Sequence, residues 1–150
     1  MRDRTAVRSC FVELQEFERQ LDLRLPPGEE IADAYLEQMF RHCGEFDGTV
    51  FVGEVDSVVV GFVTILARYR SSEANEDSRY HGYVSDLVVL PAYRQRGFGR
   101  ALLRAAETRT RDAGATSLRI AVMAGNAEAR SLYSEEGFAE REIHLEKLLN

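Results

Sequence analysis

Val84-Ser85-Asp86-Leu87-Val88-Val89-Leu90-Pro91-Ala92-Tyr93-Arg94-Gln95-Arg96-Gly97-Phe98-Gly99-Arg100-Ala101-Leu102-Leu103-Arg104 carries an apolar, β-branched run through an arginine–glycine turn into a helical pattern. The run predicts a buried strand. Phe98, Ala101, Leu102, Ala105 and Ala106 then share one helical face. Backbone N–H groups in the first turn of a helix lack intrahelical partners and lie at the positive end of the macrodipole, so this junction is suited to an anion. Gly97 and Gly99 carry no Cβ and let the chain approach the anion's oxygens. The spacing excludes a dinucleotide fingerprint and a P-loop: no Gly-x-Gly-x-x-Gly occurs, and no Lys-Ser/Thr pair follows.

Composition narrows the ligand. A chain of 150 residues with 45% hydrophobic content fits one domain, residues 1–150, with a substantial core. Its net charge of −6 gives no long-range attraction to nucleic acid or anionic membrane, so an arginine cluster must act locally on a small anion. No apolar run approaches the length of a membrane span, the longest being residues 58–67, and no signal-peptide pattern opens the chain. A cytoplasmic protein is expected, with neither nucleic acid nor membrane as partner. Cys10 and Cys43 lack zinc-ligand spacing and read as reduced packing residues; no cluster predicts a metal site.

Outward from the central stretch, Val7, Cys10, Phe11, Leu14, Phe17 and Leu21 predict an amphipathic helix that ends before Pro26-Pro27-Gly28. Ile31, Tyr35, Met39 and Phe40 predict a second, closed by Gly44 to Gly48. Residues 50–55 and 58–67 flank Asp56-Ser57 as a hairpin. Residues 69–82 form a long polar connection of a kind that is often functional. The central helix stops at Gly114. Residues 117–123 alternate as a strand, and Gly125-Asn126 opens a short helix that Gly137 ends. Phe138 onward predicts a final strand, although residues 142–149 also fit a helix.

Arg94-x-x-Gly97-x-Gly99, followed later by Asn126, Ala129, Tyr133 and Gly137-Phe138, resembles the two signatures of the GNAT superfamily of acyl-CoA-dependent N-acetyltransferases. The segment from Asp86 to Tyr93 resembles that family's central strand and its exit. The resemblance covers residue 50 to the C-terminus, and the first two helices by general pattern. It implies an α/β domain whose mixed, mostly antiparallel central sheet is flanked by helices and splayed at the acyl-CoA-binding strand. The family usually begins with a β-strand, whereas here Arg2-Asp3-Arg4 leads into the first helical stripe. The usual first strand is therefore expected to be missing or replaced, and the sheet edge this opens suggests a homodimer.

The resemblance also implies roles. Amides from Arg96 through Gly97, Phe98 and Gly99 to Arg100 would cradle the pyrophosphate of coenzyme A, with Gln95 in the same turn and Arg94 and Arg96 adding charge. Leu87, Val88 and Val89 would pair their main chain with the pantetheine arm, and Val89 N–H would be the oxyanion donor. Asn126 matches a cofactor-contacting asparagine and also reads as an N-cap, two compatible roles. Tyr133 matches the tyrosine that protonates the departing thiolate, and it also falls on an apolar face with Ala129 and Leu132.

An acceptor amine arrives as ammonium and must lose a proton. Asp86 and Tyr83 are the first candidates to take it, on opposite faces by strand alternation, with His81 third. The expected reaction is direct transfer of acetyl from acetyl-CoA to a primary amine of a small molecule or peptide, without an acyl-enzyme. Glu73, Glu76 and Asp77 in the polar connection favour a cationic amine such as an aminoglycoside, a polyamine or a lysine side chain. The alternative is a non-catalytic acyl-CoA-binding sensor or interaction module, against which Tyr133 argues.

Overall fold

Residues 2–149 are described by a computed structural model. Helix α1, Arg4–Leu21, buries Val7, Cys10, Phe11 and Gln15, and helix α2, Gly28–Glu45, buries Gly28, Ala32, Leu36 and Met39. Their connection is tied from within: Gln15 Nε2 donates to Pro26 O at 2.9 Å, and Gly28 N–H donates to Glu16 Oε1 at 2.7 Å. A Cβ at Gly28 would sit 3.0 Å from Val12 O, so the helices approach backbone to backbone there. Phe11 stacks on Tyr35 with ring centroids 4.1 Å apart.

Strand β1, Gly48–Val55, pairs antiparallel with β2, Val58–Tyr69. Asp56 and Ser57 between them both take positive φ, 48° and 65°, the left-handed pair that a tight two-residue hairpin requires. Strand β3, His81–Val89, continues the antiparallel order, and β4, Leu118–Ile120, closes it in parallel, giving β1-β2-β3-β4. Helix α3, Phe98–Asp112, makes the crossover from β3 to β4, and α4, Ala127–Glu135, follows. One core lies between the sheet and the α1–α2 pair, around Phe11, Leu36, Phe62 and Val88. The other lies against α3, around Val63, Ile65, Val84 and Leu102.

The architecture is the expected mixed sheet flanked by helices. Among the described residues no strand precedes α1, so β1 is the sheet's edge. Two expectations change. The strand foreseen over residues 117–123 shortens to three residues, because β4 parts from β3 after Val84. Residues 138–149 form neither strand nor helix: a strand needs a ladder to join, and this tail joins none. Ile143, Leu145, Leu148 and Leu149 consequently face solvent. No helix among the described residues is long and apolar enough to cross a membrane.

Candidate active site

β4 meets β3 only at Gly82, Tyr83 and Val84, so from Ser85 onward β3 has one free edge. Leu90 N–H donates to Val60 O at 2.8 Å. Alternation from that bond makes Gly61–Val89 and Val63–Leu87 the non-bonded pairs, whose N–H and C=O groups turn away from β2. Arg94 Nε accordingly reaches Val89 O on the open side, at 2.9 Å. The main-chain groups of Leu87 and Val89 thus line the splay. Val88, opposite Phe62 in the bonded register, spends its main chain within the sheet, which narrows the expectation that all three residues present theirs.

The chain leaves β3 through a short 3-10 turn, Pro91–Tyr93, and enters α3 with Gln95 at φ 62° and Gly97 at φ 85°. Gly97 is the N-cap and supplies no capping side chain, and no acidic residue occupies the first turn. Ala101 N–H makes the first bond back, to Gly97 O at 3.0 Å, which leaves the N–H groups of Phe98, Gly99 and Arg100 without intrahelical partners. A Cβ at Gly99 would lie 3.2 Å from Leu132 Cδ2 and 3.9 Å from Val89 Cγ2, so the glycine lets α3 start close to both α4 and β3. The arginines divide their work. Arg94 stacks over Phe17 at 5.5 Å while holding Val89 O, Arg100 pairs with Glu135 and Glu136 at 2.8 and 3.0 Å, and exposed Arg96 lies over Tyr93. Gln95 Nε2 reaches Glu128 at 3.3 Å. The donors left unpartnered at this helix start are the backbone N–H groups of Phe98, Gly99 and Arg100, whereas the guanidinium groups of Arg94 and Arg100 are already engaged.

A cleft of about 500 Å³ runs from this helix start to the splay, and α4 forms its far wall. Asn126 Oδ1 accepts from Ala129 N–H at 3.1 Å, so the residue caps α4 while lining the cleft. Tyr133, on the same helix, is 9% exposed, and its ring meets Phe138 at 5.8 Å. Its hydroxyl has no hydrogen-bond partner among the described residues. Burial, assisted by the charge of Glu18, pushes the phenol up to about 12. Tyr133 also lines a second, larger cleft of about 2070 Å³ bounded by β4 and residues 138–144.

The expected base residues are placed differently from the alternation rule. Thr64 faces Asp86 and Ile65 faces Val84, leaving Ser85 as an extra residue in a β-bulge. The bulge resets the alternation: Val84 and Leu87 both pack toward α3, and Tyr83 and Asp86 both face the α1–α2 pair. They share a face rather than opposing each other. Asp86 is 4% exposed and accepts from Tyr35 Oη at 2.5 Å and Ser85 Oγ at 2.9 Å; burial raises its pKa against those bonds. Tyr83 lies 5.3 Å from Tyr69, its phenol also raised by burial. His81 is buried, its pKa lowered by desolvation, with Nδ1 unpartnered. Tyr35, which ties α2 to this strand through Asp86, was absent from the sequence reading of the site, as was Glu18, whose pKa is raised by burial and by the charge of Asp86. The available signal was Glu18 itself, a carboxylate set between Leu14 and Leu21 on an apolar stripe.

The family model described as the acetyltransferase (GNAT) family matches residues 13–138. The chain belongs to the GNAT acetyltransferase family. It is an acyl-CoA-dependent N-acetyltransferase. An aminoglycoside N(6')-acetyltransferase type 1 of Stenotrophomonas maltophilia is 32% identical over 124 residues, 82% of this chain and 78% of that protein. An N-alpha-acetyltransferase of Sulfurisphaera tokodaii is 30% identical over 106 residues, 69% of this chain and 64% of that protein. Among solved structures, the BH1408 protein of Bacillus halodurans superposes with a TM-score of 0.83 at 18% identity, covering 99% of this chain and 95% of that one. AAC(6')-Iy in complex with a CoA-containing bisubstrate analog superposes at 0.69 with 21% identity, over 98% and 92% of the two chains. Within this GNAT acetyltransferase, a splayed strand, an uncapped helix start and a phenol at the junction of two clefts coincide.

Proposed function

We propose that this acetyltransferase moves acetyl from acetyl-CoA directly to a cationic primary amine of a small molecule or peptide, across the junction that Tyr133 marks. The observation that carries the reading is that Tyr133 borders both clefts, the one between β3 and α4 and the larger one beyond β4. The first suits the donor. Its unpartnered N–H groups at Phe98, Gly99 and Arg100 would hold pyrophosphate, and the outward main chain of Leu87 and Val89 would pair with the amides of pantetheine. Val89 N–H then points at the thioester carbonyl, where negative charge develops.

The amine nitrogen attacks that carbonyl, the C–N bond forms, and the C–S bond breaks as Tyr133 Oη supplies a proton to sulfur. A phenol near 12 is fully protonated at neutral pH and so has the proton to give. In the second cleft Glu76, Glu107, Glu136 and Glu142 are each paired with an arginine, so the preference for an amine acceptor rests on the relatives and not on the charge of these walls. The two curated relatives act, by name, on an aminoglycoside and on an N-alpha amine, both amines.

A CoA thioester donor and two free cysteines fit a reducing, cytoplasmic setting. The eight-residue edge of β1 is the surface on which a homodimer would form. Thiol release from acetyl-CoA across an amine panel, with product mass recorded, tests the function. Release that depends on amine, with one acetyl gained by the product, is the expected result. Acetyl-CoA binding without turnover of any amine would instead identify an acyl-CoA sensor.

A further inference from the structure

Every carboxylate on the walls of the second cleft has an arginine partner, Glu76 and Glu142 sharing Arg141. Among the arginines that line it, Arg79, Arg111, Arg130 and Arg141 are committed to those pairs. Arg119 on β4 is different. It lines the same cleft half-buried and, among the described residues, has neither an ion-pair nor a hydrogen-bond partner. The walls therefore carry one uncompensated charge, and it is positive.

The sheet register decides what lies beside that charge. Arg119 pairs with Tyr83 across the parallel β3–β4 ladder, where strands run about 4.8 Å apart. Leu118 and Ile120, its neighbours in sequence, pack toward α3 with Val84, so Arg119 leaves β4 on the opposite face, the one Tyr83 takes. Tyr69 joins them there. It pairs with His81, and its ring lies 5.3 Å from that of Tyr83 and meets the His81 ring edge-on at 5.4 Å. All three rings line the cleft. The hydroxyls of Tyr69 and Tyr83 bond no protein group, and neither is among the buried polar atoms left without a partner, so both are open to the cleft. Next to them His81 is 3% exposed with Nδ1 unpartnered, a buried nitrogen whose unmade bond is costly. A guanidinium beside two phenol O–H donors suits a carboxylate, which accepts from both arms of the guanidinium fork, and a single positive charge matches it better than a dianionic phosphate.

We propose that Arg119, with the hydroxyls of Tyr83 and Tyr69, binds a carboxylate of the acceptor, and that the acceptor is a peptide acetylated at its N-terminal amine with that carboxylate three to five residues away. The proposal rests on the reading that this site acetylates an amine. Strand geometry sets the length. From Tyr83 to Val89, discounting the bulged Ser85, β3 advances about 17 Å, and this separates the carboxylate site from the oxyanion donor. A single amino acid, whose amine and carboxylate share one carbon, cannot occupy both. An extended peptide advances about 3.3–3.6 Å per residue, so three to five residues span the gap, the arginine side chain reaching across part of it. The same unpaired guanidinium repels a polycation such as an aminoglycoside, so it selects against that acceptor as well as for a peptide.

The test measures thiol release from acetyl-CoA by the full chain with alanine and its peptides of about three to five residues, each as the free acid and as the C-terminal amide. For the peptides, wild-type kcat/KM should be roughly 10- to 100-fold higher with the acid, the range of a charge-assisted bond, with the difference expressed in KM. Alanine itself should show no such preference. A peptide amide carrying an internal glutamate identifies the source of the carboxylate: use at the acid's rate admits an acidic side chain, and use at the plain amide's rate confines the site to a C-terminus. In Arg119→Gln the acid-to-amide ratio should fall to about one, with acetyl-CoA affinity within about twofold of wild type. Arg119→Lys should keep part of the ratio, and Tyr83→Phe should lower it by a smaller factor. The ratio is taken within one protein, so any loss of folded enzyme cancels from it. A wild-type ratio near one, or a ratio preserved in Arg119→Gln, would overturn the proposal. Acetylation of spermidine but of none of the peptides would overturn it as well, leaving the acetyltransferase reading intact. A wild type that binds acetyl-CoA and acetylates no amine would overturn that reading, and this proposal with it.

Discussion

Tyr133→Phe separates chemistry from architecture because the hydroxyl it removes has no partner in the protein while the ring it keeps is packed. Tyr133 is 9% exposed and its ring contacts Phe138. The hydroxyl is not among the buried polar atoms left without a partner, so solvent in the cleft reaches it. The substitution should therefore leave stability within about 0.5 kcal/mol, a Tm change of no more than about 2 °C for a domain of this size. Catalysis should change far more. Losing a general acid costs roughly 10²–10⁴ in kcat, about 3–5 kcal/mol of transition-state stabilisation. Acetyl-CoA affinity should stay within about twofold, since the proposed donor site is built from main-chain groups of Leu87, Val89 and the α3 start. Thermal unfolding, titration calorimetry with acetyl-CoA and thiol release with a chemistry-limited acceptor measure the three quantities. Unchanged kcat would remove Tyr133 as the acid, and a Tm lowered by several degrees would show that the hydroxyl has a structural partner after all.

Other perturbations probe the scaffold around that residue. Gly61→Ala would drive a Cβ into Val88 O and to 3.1 Å from Val89 Cα; the strain should cost about 1–3 kcal/mol and reduce turnover by displacing Val89 N–H, and an unaltered Tm would refute the close approach. Asn126→Ala should destabilise by about 1 kcal/mol through loss of the cap bond to Ala129, with Asn126→Asp restoring Tm. A cofactor contact would show separately as weaker acetyl-CoA binding in Asn126→Asp despite normal Tm. Asp86 supplies a pH test. Its folded pKa is raised, chiefly by desolvation, so its contribution to stability is fully present below the unfolded value of 3.8 and is lost as pH rises through the folded one. The stability of wild type relative to Asp86→Asn should thus be greater at about pH 5 than at about pH 8, measured by urea midpoints. A difference that grows with pH would mean that the hydrogen bonds from Tyr35 and Ser85 outweigh burial.

What could be read along the chain is what depends on local chemistry. The strand, turn and helix from Val84 to Arg104 were legible because an apolar run, a left-handed glycine and a 3.6-residue stripe are each set by a few adjacent residues. The hairpin at Asp56-Ser57 and the cap at Asn126 were legible for the same reason. The tail was not: Ile143 and Leu145 alternate like a strand, but a strand exists only against a partner ladder, and the short β4 provides none for it. Tyr35 was hidden because its bond to Asp86 follows from how a helix crosses a strand distant in sequence. A carboxylate between Leu14 and Leu21 indicated a conflict with the stripe, not what would resolve it.

The error over Tyr83 and Asp86 has a more instructive cause. Alternation assumes an unbroken ladder, and no glycine or proline in Tyr83-Val84-Ser85-Asp86 announces that it breaks. The bulge at Ser85 is nevertheless located where the site needs it. β4 stays with β3 through Val84 and parts from it at the next residue, and a bulge both bends its strand and increases local twist. The extra residue thus helps turn β3 away from β4, opening the edge on which Leu87 and Val89 present their main chain, and it swings Asp86 to the face where Tyr35 can bond it. Gly61, lacking a Cβ, lets β2 follow the bent strand closely at Val88 and Val89. On this argument the splay of β3 and the bond from Tyr35 to Asp86 share one origin in a single inserted serine, and deletion of Ser85 should disturb both together rather than either alone.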